Sequence, residues 1–296
     1  LTVKYRIKHV TTYHYSDAVA LCHNCALLTP RAFGRQLPFQ EDLWIQPDPG
    51  VLDRHVDYFG NVVHFFTIQE PHKQLSVTAH HRVQVLPAMY PQPEQTPAWE
   101  DVVRHLKTTR RHEVLDAYQY AFDSPFIRRH ATWMDYARPS FPERKPLWAG
   151  VLDLMGRIHR DFKYDPRATT VATPLHEMFA RRRGVCQDFA HLQIACLRSL
   201  GLAARYVSGY METHPPEGRE RLVGADASHA WVQVFCPDFG WLDADPTNNA
   251  TPADRHILLA WGRDYDDVSP LKGIILGGGS HTVSVAVDVI PIEDEK

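Results

Sequence analysis

Across 296 residues this chain has only five cysteines, and no apolar run approaches the ~18 residues that a membrane span needs. So few cysteines argue against a disulfide framework and for a reducing compartment, so the expectation is a cytoplasmic protein with no membrane partner. A basic excess is also missing. The 32 Lys and Arg stand against 35 Asp and Glu, a net charge of −3, so nucleic acid is not an expected partner. The opening Leu1-Thr2-Val3-Lys4-Tyr5 has neither the charged start nor the apolar core of a secretion signal, although the lack of an initial Met leaves room for a removed upstream segment. Several catalytic signatures are absent. His112-Glu113 and His176-Glu177 lack the second His of a zinc-protease helix, and there is no G-x-S-x-G elbow. Cys22-His23-Asn24-Cys25 has no second ligand pair to complete a four-ligand zinc site and reads as a reduced structural pair. No metal and no cofactor are expected.

What is present is organised around Gly184-Val185-Cys186-Gln187-Asp188-Phe189-Ala190, which opens a helix predicted to reach about Leu200. Gly184 is assigned to the turn into the helix and Gly201 to its left-handed end. Apolar residues lie on most sides of this helix, the pattern of a buried element. Cys186 therefore sits on the first turn of a central helix, where unpaired N–H groups and the helix dipole favour a thiolate. Two later stretches add to it. Ala227-Ser228-His229-Ala230-Trp231-Val232-Gln233-Val234-Phe235 alternates like a half-buried strand, and Gly240-Trp241-Leu242-Asp243-Ala244-Asp245-Pro246-Thr247 reads as a strand ended by Pro246. A thiol, an imidazole on one strand and a carboxylate at the end of the next are the parts of a Cys-His-Asp relay.

On these three motifs, in this order, the chain resembles the transglutaminase-like (papain-like) superfamily of cysteine enzymes. Its N-terminal strands and Trp261-Gly262-Arg263-Asp264-Tyr265 are similar to the bacterial branch, which carries a β-domain ahead of the core. The resemblance implies a triad of Cys186, His229 and Asp245. Asp243, two residues away on the same strand face, is the rival for the acid, and the family's pattern of an acid directly before Pro-Thr favours Asp245. It also implies an α+β fold, a helix carrying Cys packed on an antiparallel sheet carrying His and Asp, preceded by an all-β, sandwich-like domain. The implied activity is acyl transfer from an amide through a thioester on Cys186, without the calcium that the animal transglutaminase needs, since no D-x-[DN]-x-[DN]-G loop occurs. Water as acceptor gives a peptidase or amidase acting on a peptide or protein substrate, the favoured expectation. An amine acceptor gives a protein-glutamine transglutaminase. A reading from another class is a peptide-binding protein on the same scaffold. The backbone N–H of Cys186 is one expected oxyanion donor, and Gln187, Tyr164 and Trp231 are candidates for the cleft or the second donor.

The remaining chain divides into a β-domain over 1–90 and a helical segment plus core over 91–296. Short β-rich runs, with a turn at Asp57-Tyr58-Phe59-Gly60-Asn61-Val62, fill the first part. Pro87 to Pro97 reads as a linker. Trp99-Val102-Val103-Leu106 and Leu147-Val151-Leu152-Met155-Ile158 have helical spacing, Thr173 to Ala180 forms a short helix, and Ser124 and Ser140 are candidate N-caps. Arg181-Arg182-Arg183 reads as a solvated run, with thiolate stabilisation as the alternative. His214 to Gly224 is a candidate cleft rim, and Asp226 a substrate contact or a turn residue. The Arg263-Asp264-Tyr265 loop is expected to shape the cleft. The alternating Val283, Val285, Val287 and Val289 are expected to form a last strand completing the catalytic sheet.

Overall fold

The computed structural model describes residues 2–213 and 228–293, so His214 to Gly224 and Asp226 lie outside the described residues. Strand β1 (Val3–Ala26) spans the whole β-domain and pairs antiparallel with every neighbour it has. Its first half lies between β5 (His72–Val85) and the last strand, β13 (His281–Ile292). After an irregularity between His14 and Val19, its second half lies between β4 (Val62–Ile68) and β12 (Leu271–Gly277). Strands β2 (Gln36–Gln46) and β3 (Val51–Val56) flank β5 and β4, giving one seven-stranded sheet. Tyr15, Ile45, Leu75, Val77 and Ala79 from one half share a buried cluster with Cys22, Ala26, Phe66 and Ile68 from the other. The sandwich-like character thus comes from a single sheet bent across β1. Cys22 points into this cluster while Cys25, on the other strand face, packs against the second core, so the pair cannot close on one ligand.

The expectation that the last strand completes the catalytic sheet is corrected. That sheet is four-stranded, in the order β10 (Gly240–Ala244), β9 (Ser228–Cys236), β8 (Ala204–Met211), β11 (His256–Gly262). The outer edge of β11 is already taken. The Gln36 amide donates to Leu258 O and accepts from Leu258 N (2.7 and 2.8 Å), and the Asn61 amide does the same at Trp261 (2.9 and 3.0 Å). Two side-chain amides stand in for a strand there, and a buried edge so satisfied has nothing to offer β13. The boundary near residue 90 therefore does not close the β-domain, which takes in β12 and β13 as well.

The helices are α1 (Trp99–Thr108), α2 (His112–Tyr118), α3 (Ala131–Ala137), α4 (Leu147–Asp161), α5 (Leu175–Arg181), α6 (Cys186–Ser199) and α7 (Tyr265–Val268). A two-residue parallel pair, β6 (Lys163–Tyr164) and β7 (Arg183–Gly184), brings the end of α4 beside the start of α6. The predicted stripe is the buried face of α4: Leu147, Val151, Met155 and Ile158 are enclosed and Leu152 packs at its edge. Helix α6 is buried from Gln187 to Arg198, as a pattern apolar on most sides leads one to expect. Ser124 and Ser140 cap no helix. Each hydroxyl instead accepts from an arginine, Ser124 from the enclosed Arg198 (3.1 Å) and Ser140 from the partly buried Arg157 (3.0 Å), groups that need acceptors away from water. The linker is also less free than its prolines suggest, for Tyr90 stacks on Trp148 and donates to Pro252 O (2.5 Å).

The two parts share one core. Tyr5, Ile7, Val83, Val85, Val287 and Val289 of the β-domain belong to the same buried cluster as the face of α6 and the catalytic sheet. Arg31 and Arg205 both stack on Trp261, at 3.6 and 3.7 Å from its ring centre. Among the described residues no helix is long and apolar enough to cross a membrane.

Candidate active site

Cys186 is the first residue of α6, entered from Val185 in extended conformation. Gly184 does not adopt a left-handed conformation. It is needed for close approach, since a Cβ there would lie 2.6 Å from Asp188 Oδ2 and 2.9 Å from Met178 Cγ. Asp188 closes the first turn of α6, accepting from Val185 N (2.8 Å) and Thr169 Oγ1 (2.6 Å). Gly201 does take the left-handed conformation expected at the helix end (φ 88°).

His229 is the second residue of β9 and Asp245 follows the end of β10, and the ladder between these strands brings the two together. His229 Nε2 lies 2.8 Å from Asp245 Oδ2. With Nε2 so used, the other ring nitrogen is left for the Cys186 thiol, which is close enough to help raise the pKa of the ring. Burial disfavours a charged ring. Hydrogen bonds and negative charge from Asp245 and Cys186 outweigh it and raise the His229 pKa from 6.5 to about 10. Asp245 is fully enclosed, and burial alone would raise its pKa. The hydrogen bonds and charge of His229 and His256 instead hold it below the usual carboxylate range. Its Oδ1 accepts from Thr247 N and Asn248 N (3.0 and 3.2 Å), and its Oδ2 accepts from Asn248 Nδ2 (2.7 Å).

Geometry separates the two carboxylates that the sequence left in competition. Asp243 Oδ1 accepts from Trp231 Nε1 (2.8 Å) and Gln233 Nε2 (2.7 Å), and its Oδ2 lies 3.5 Å from Arg35 and Tyr90. It braces the sheet and does not meet His229. Trp231, expected at the cleft, is instead fully buried with its N–H spent on Asp243, because alternation puts it on the sheet face that packs against the β-domain. The Gln187 amide is turned to Val171 O (3.3 Å). Tyr164 is half exposed, and burial followed by the charge of Cys186 raises its pKa. The arginine run is paired locally. Arg181 bonds Glu177, Arg182 stacks over Phe179 at 4.3 Å, and Arg183 lies 3.5 Å from Asp165. The loop at 263–265 is held to α6 and to the segment before α3. Asp264 accepts from Phe126 N (2.8 Å), and Tyr265 N donates to His191 (3.2 Å).

Two residues were not singled out from the sequence. Asn248 lies in the turn after Asp245, and His256, the first residue of β11, places Nε2 3.1 Å from Asp245 Oδ2. The one available signal for His256 was its shared strand face with Leu258. Among the described residues, His229, Asp245 and His256 are also a cluster whose ligand atoms lie within 4.8 Å of one another. Two imidazoles and a carboxylate suit zinc. Here, however, the 2.8 and 3.1 Å separations are direct hydrogen bonds, and Asn248 Nδ2 occupies the third approach to the shared oxygen.

Gly209, opposite His229 in β8, keeps this arrangement open. A Cβ there would lie 2.2 Å from Ile257 O and 2.6 Å from the Trp231 ring. Gly209→Ala is expected to lower stability by about 1–3 kcal/mol, as overpacking does, measurable as a reduced urea midpoint.

Residues 5–84 match the bacterial transglutaminase-like N-terminal region, and residues 136–246 match the core of the transglutaminase-like superfamily. An uncharacterised protein of Mycobacterium tuberculosis is 39% identical over 302 residues, which cover 99% of this chain and 95% of that protein. A protein-glutamine gamma-glutamyltransferase of Pseudomonas aeruginosa is 33% identical over 107 residues, 33% of this chain but 16% of its own. The crystal structure of a candidate cysteine protease from Cytophaga hutchinsonii superposes with a TM-score of 0.77 at 19% identity, covering 100% of this chain and 93% of that one. At that identity the likeness is one of fold.

Proposed function

Because the chain belongs to the transglutaminase-like superfamily, we propose that it is a cysteine-dependent hydrolase of amide bonds in peptides or proteins. The observation that carries this reading is the imidazole of His229 held between the Cys186 thiol and the buried Asp245 carboxylate. In this mechanism the thiol proton passes to His229 and the Cys186 sulfur attacks the amide carbonyl. The C–N bond breaks as His229 returns the proton to the departing amine, leaving a thioester. Water then gives a proton to His229 and attacks the thioester, and the acid and the free thiol are released. Asp245 keeps its charge throughout and fixes the orientation of the ring. The Cys186 N–H at the helix start supplies one oxyanion donor.

The Tyr164 phenol, whose pKa is raised by burial and by the charge of Cys186, is the second donor in this proposal. Tyr164→Phe is then expected to lower kcat by roughly 10²–10³ with little change in KM. Unaltered kcat would remove Tyr164 from the mechanism. A second reading, transfer to an amine, draws support from the stretch shared with the P. aeruginosa gamma-glutamyltransferase. The two are separated by supplying a glutaminyl peptide with and without a primary amine and weighing the products. Net hydrolysis in the presence of amine supports the proposal, and a dominant amide adduct replaces it with transamidation.

A further inference from the structure

We propose that His256 is a positioning residue of this site, holding the Asp245 carboxylate through the same oxygen that bonds His229. The inference rests on the triad reading above.

Both imidazoles reach the same oxygen, with His229 Nε2 2.8 Å and His256 Nε2 3.1 Å from Asp245 Oδ2. The His256 ring is enclosed, and its Nδ1 is buried with no hydrogen-bond partner. That asymmetry selects a tautomer. A proton on Nδ1 would be a buried donor without an acceptor and would turn the Nε2 lone pair on the carboxylate. A proton on Nε2 satisfies the carboxylate and leaves only an acceptor unpaired. Burial lowers the pKa of this ring, consistent with a neutral donor. The two histidines on one carboxylate oxygen are therefore unlike. His229 exchanges protons with the thiol, and His256 is a fixed donor.

The ring itself is well held. It meets the Trp231 indole edge to face at 5.3 Å, and that indole is pinned by its bond to Asp243 (2.8 Å). Its strand, β11, is fixed by the backbone-like amide pairs of Gln36 at Leu258 and Asn61 at Trp261. A continuous set of contacts thus runs from the β-domain through β11 and His256 to the carboxylate that orients His229. The titratable groups whose charge acts on His256 are Asp245, His229 and Asp243.

The test uses the full chain with Cys25→Ser, since Cys25 is the other thiol that is not fully buried. Iodoacetamide alkylation of Cys186 is followed by intact mass across pH, together with kcat and KM on a peptide amide. His256→Phe keeps an aromatic ring but removes the donor. His256→Gln restores an N–H near the Nε2 position, and His256→Asn carries one too short to reach. The expected result is a kcat reduced about 10-fold in the Phe and Asn variants with KM unchanged, as for other groups that orient a reacting side chain. Alkylation below pH 7 should weaken with it, and the Gln variant should recover to within about threefold of the parent. If the Phe variant fails to give a cooperative melt, Asn against Gln decides. A Phe or Asn variant with the parent's kcat and alkylation profile overturns the inference, and so does a Gln variant no better than Asn. His229→Ala separates this failure from that of the triad. If His229→Ala abolishes alkylation below pH 7 while His256→Phe does not, only the positioning role falls. If neither affects it, the triad reading falls and this one with it.

Discussion

Cys186→Ala is expected to melt with the parent and to hydrolyse peptide amides more slowly by a factor on the order of 10⁴–10⁶, the range seen when the nucleophile of a triad is removed. The fold should survive because the thiol is only partly buried and packs at the edge of the core; its loss removes one small contact. Activity should not survive, because no neighbour can replace the sulfur. Cys22, Cys196 and Cys236 are buried, and burial pushes each of their thiols up, Cys236 to about 12. In the parent, iodoacetamide should add once at Cys186 at pH 6, where a free thiol (pKa ~8.5) is almost wholly protonated. That reaction depends on a ring able to keep the proton, which is what the raised His229 pKa of about 10 describes. His229→Ala should therefore confine alkylation to alkaline pH. Full hydrolysis by Cys186→Ala would place the chemistry elsewhere in the molecule. Slow alkylation of the parent, with no turnover of any amide, would turn the reading towards peptide binding.

Asp245→Asn is expected to lower kcat by about 10⁴, the cost of presenting a catalytic imidazole in the wrong tautomer. It should also reshape stability against pH. The folded pKa of Asp245 lies below its ordinary 3.8, so its carboxylate stabilises the fold above that value and the contribution fades as pH falls. His229 is raised from 6.5 to about 10, so its contribution is complete below 6.5 and is lost as pH climbs towards 10. The pair is therefore most stabilising between about pH 4 and 6.5, and urea midpoints should decline on both sides of that window. In the Asn variant both slopes should flatten and the midpoint within the window should drop. A variant with the parent's slopes would show that the ionised pair contributes nothing to the folded state.

Much of this molecule could be read without coordinates because its information is local. A helix apolar on most sides reads as a buried one, and α6 is buried. The alternation of Ala230, Val232 and Val234 sets one strand face against that helix and leaves His229 on the other, whatever the strand's neighbours. The order of the Cys186, His229 and Asp245 motifs carried the family resemblance for the same reason, since each motif is a short run with its own turn chemistry. Tertiary structure decided where a residue has several chemically equivalent partners. Asp243 and Asp245 share a strand face in the sequence, yet Trp231 and Gln233 claim the first and His229 the second. Val283 to Val289 could close any sheet with an unsatisfied edge. They join β1 because the amides of Gln36 and Asn61 have already filled the edge of β11. His256 looked like one more strand residue until the fold brought its Nε2 to the oxygen that His229 uses. Side-chain pattern fixes which face is buried, but pairing depends on which distant hydrogen-bonding groups remain unsatisfied once the rest of the chain is in place.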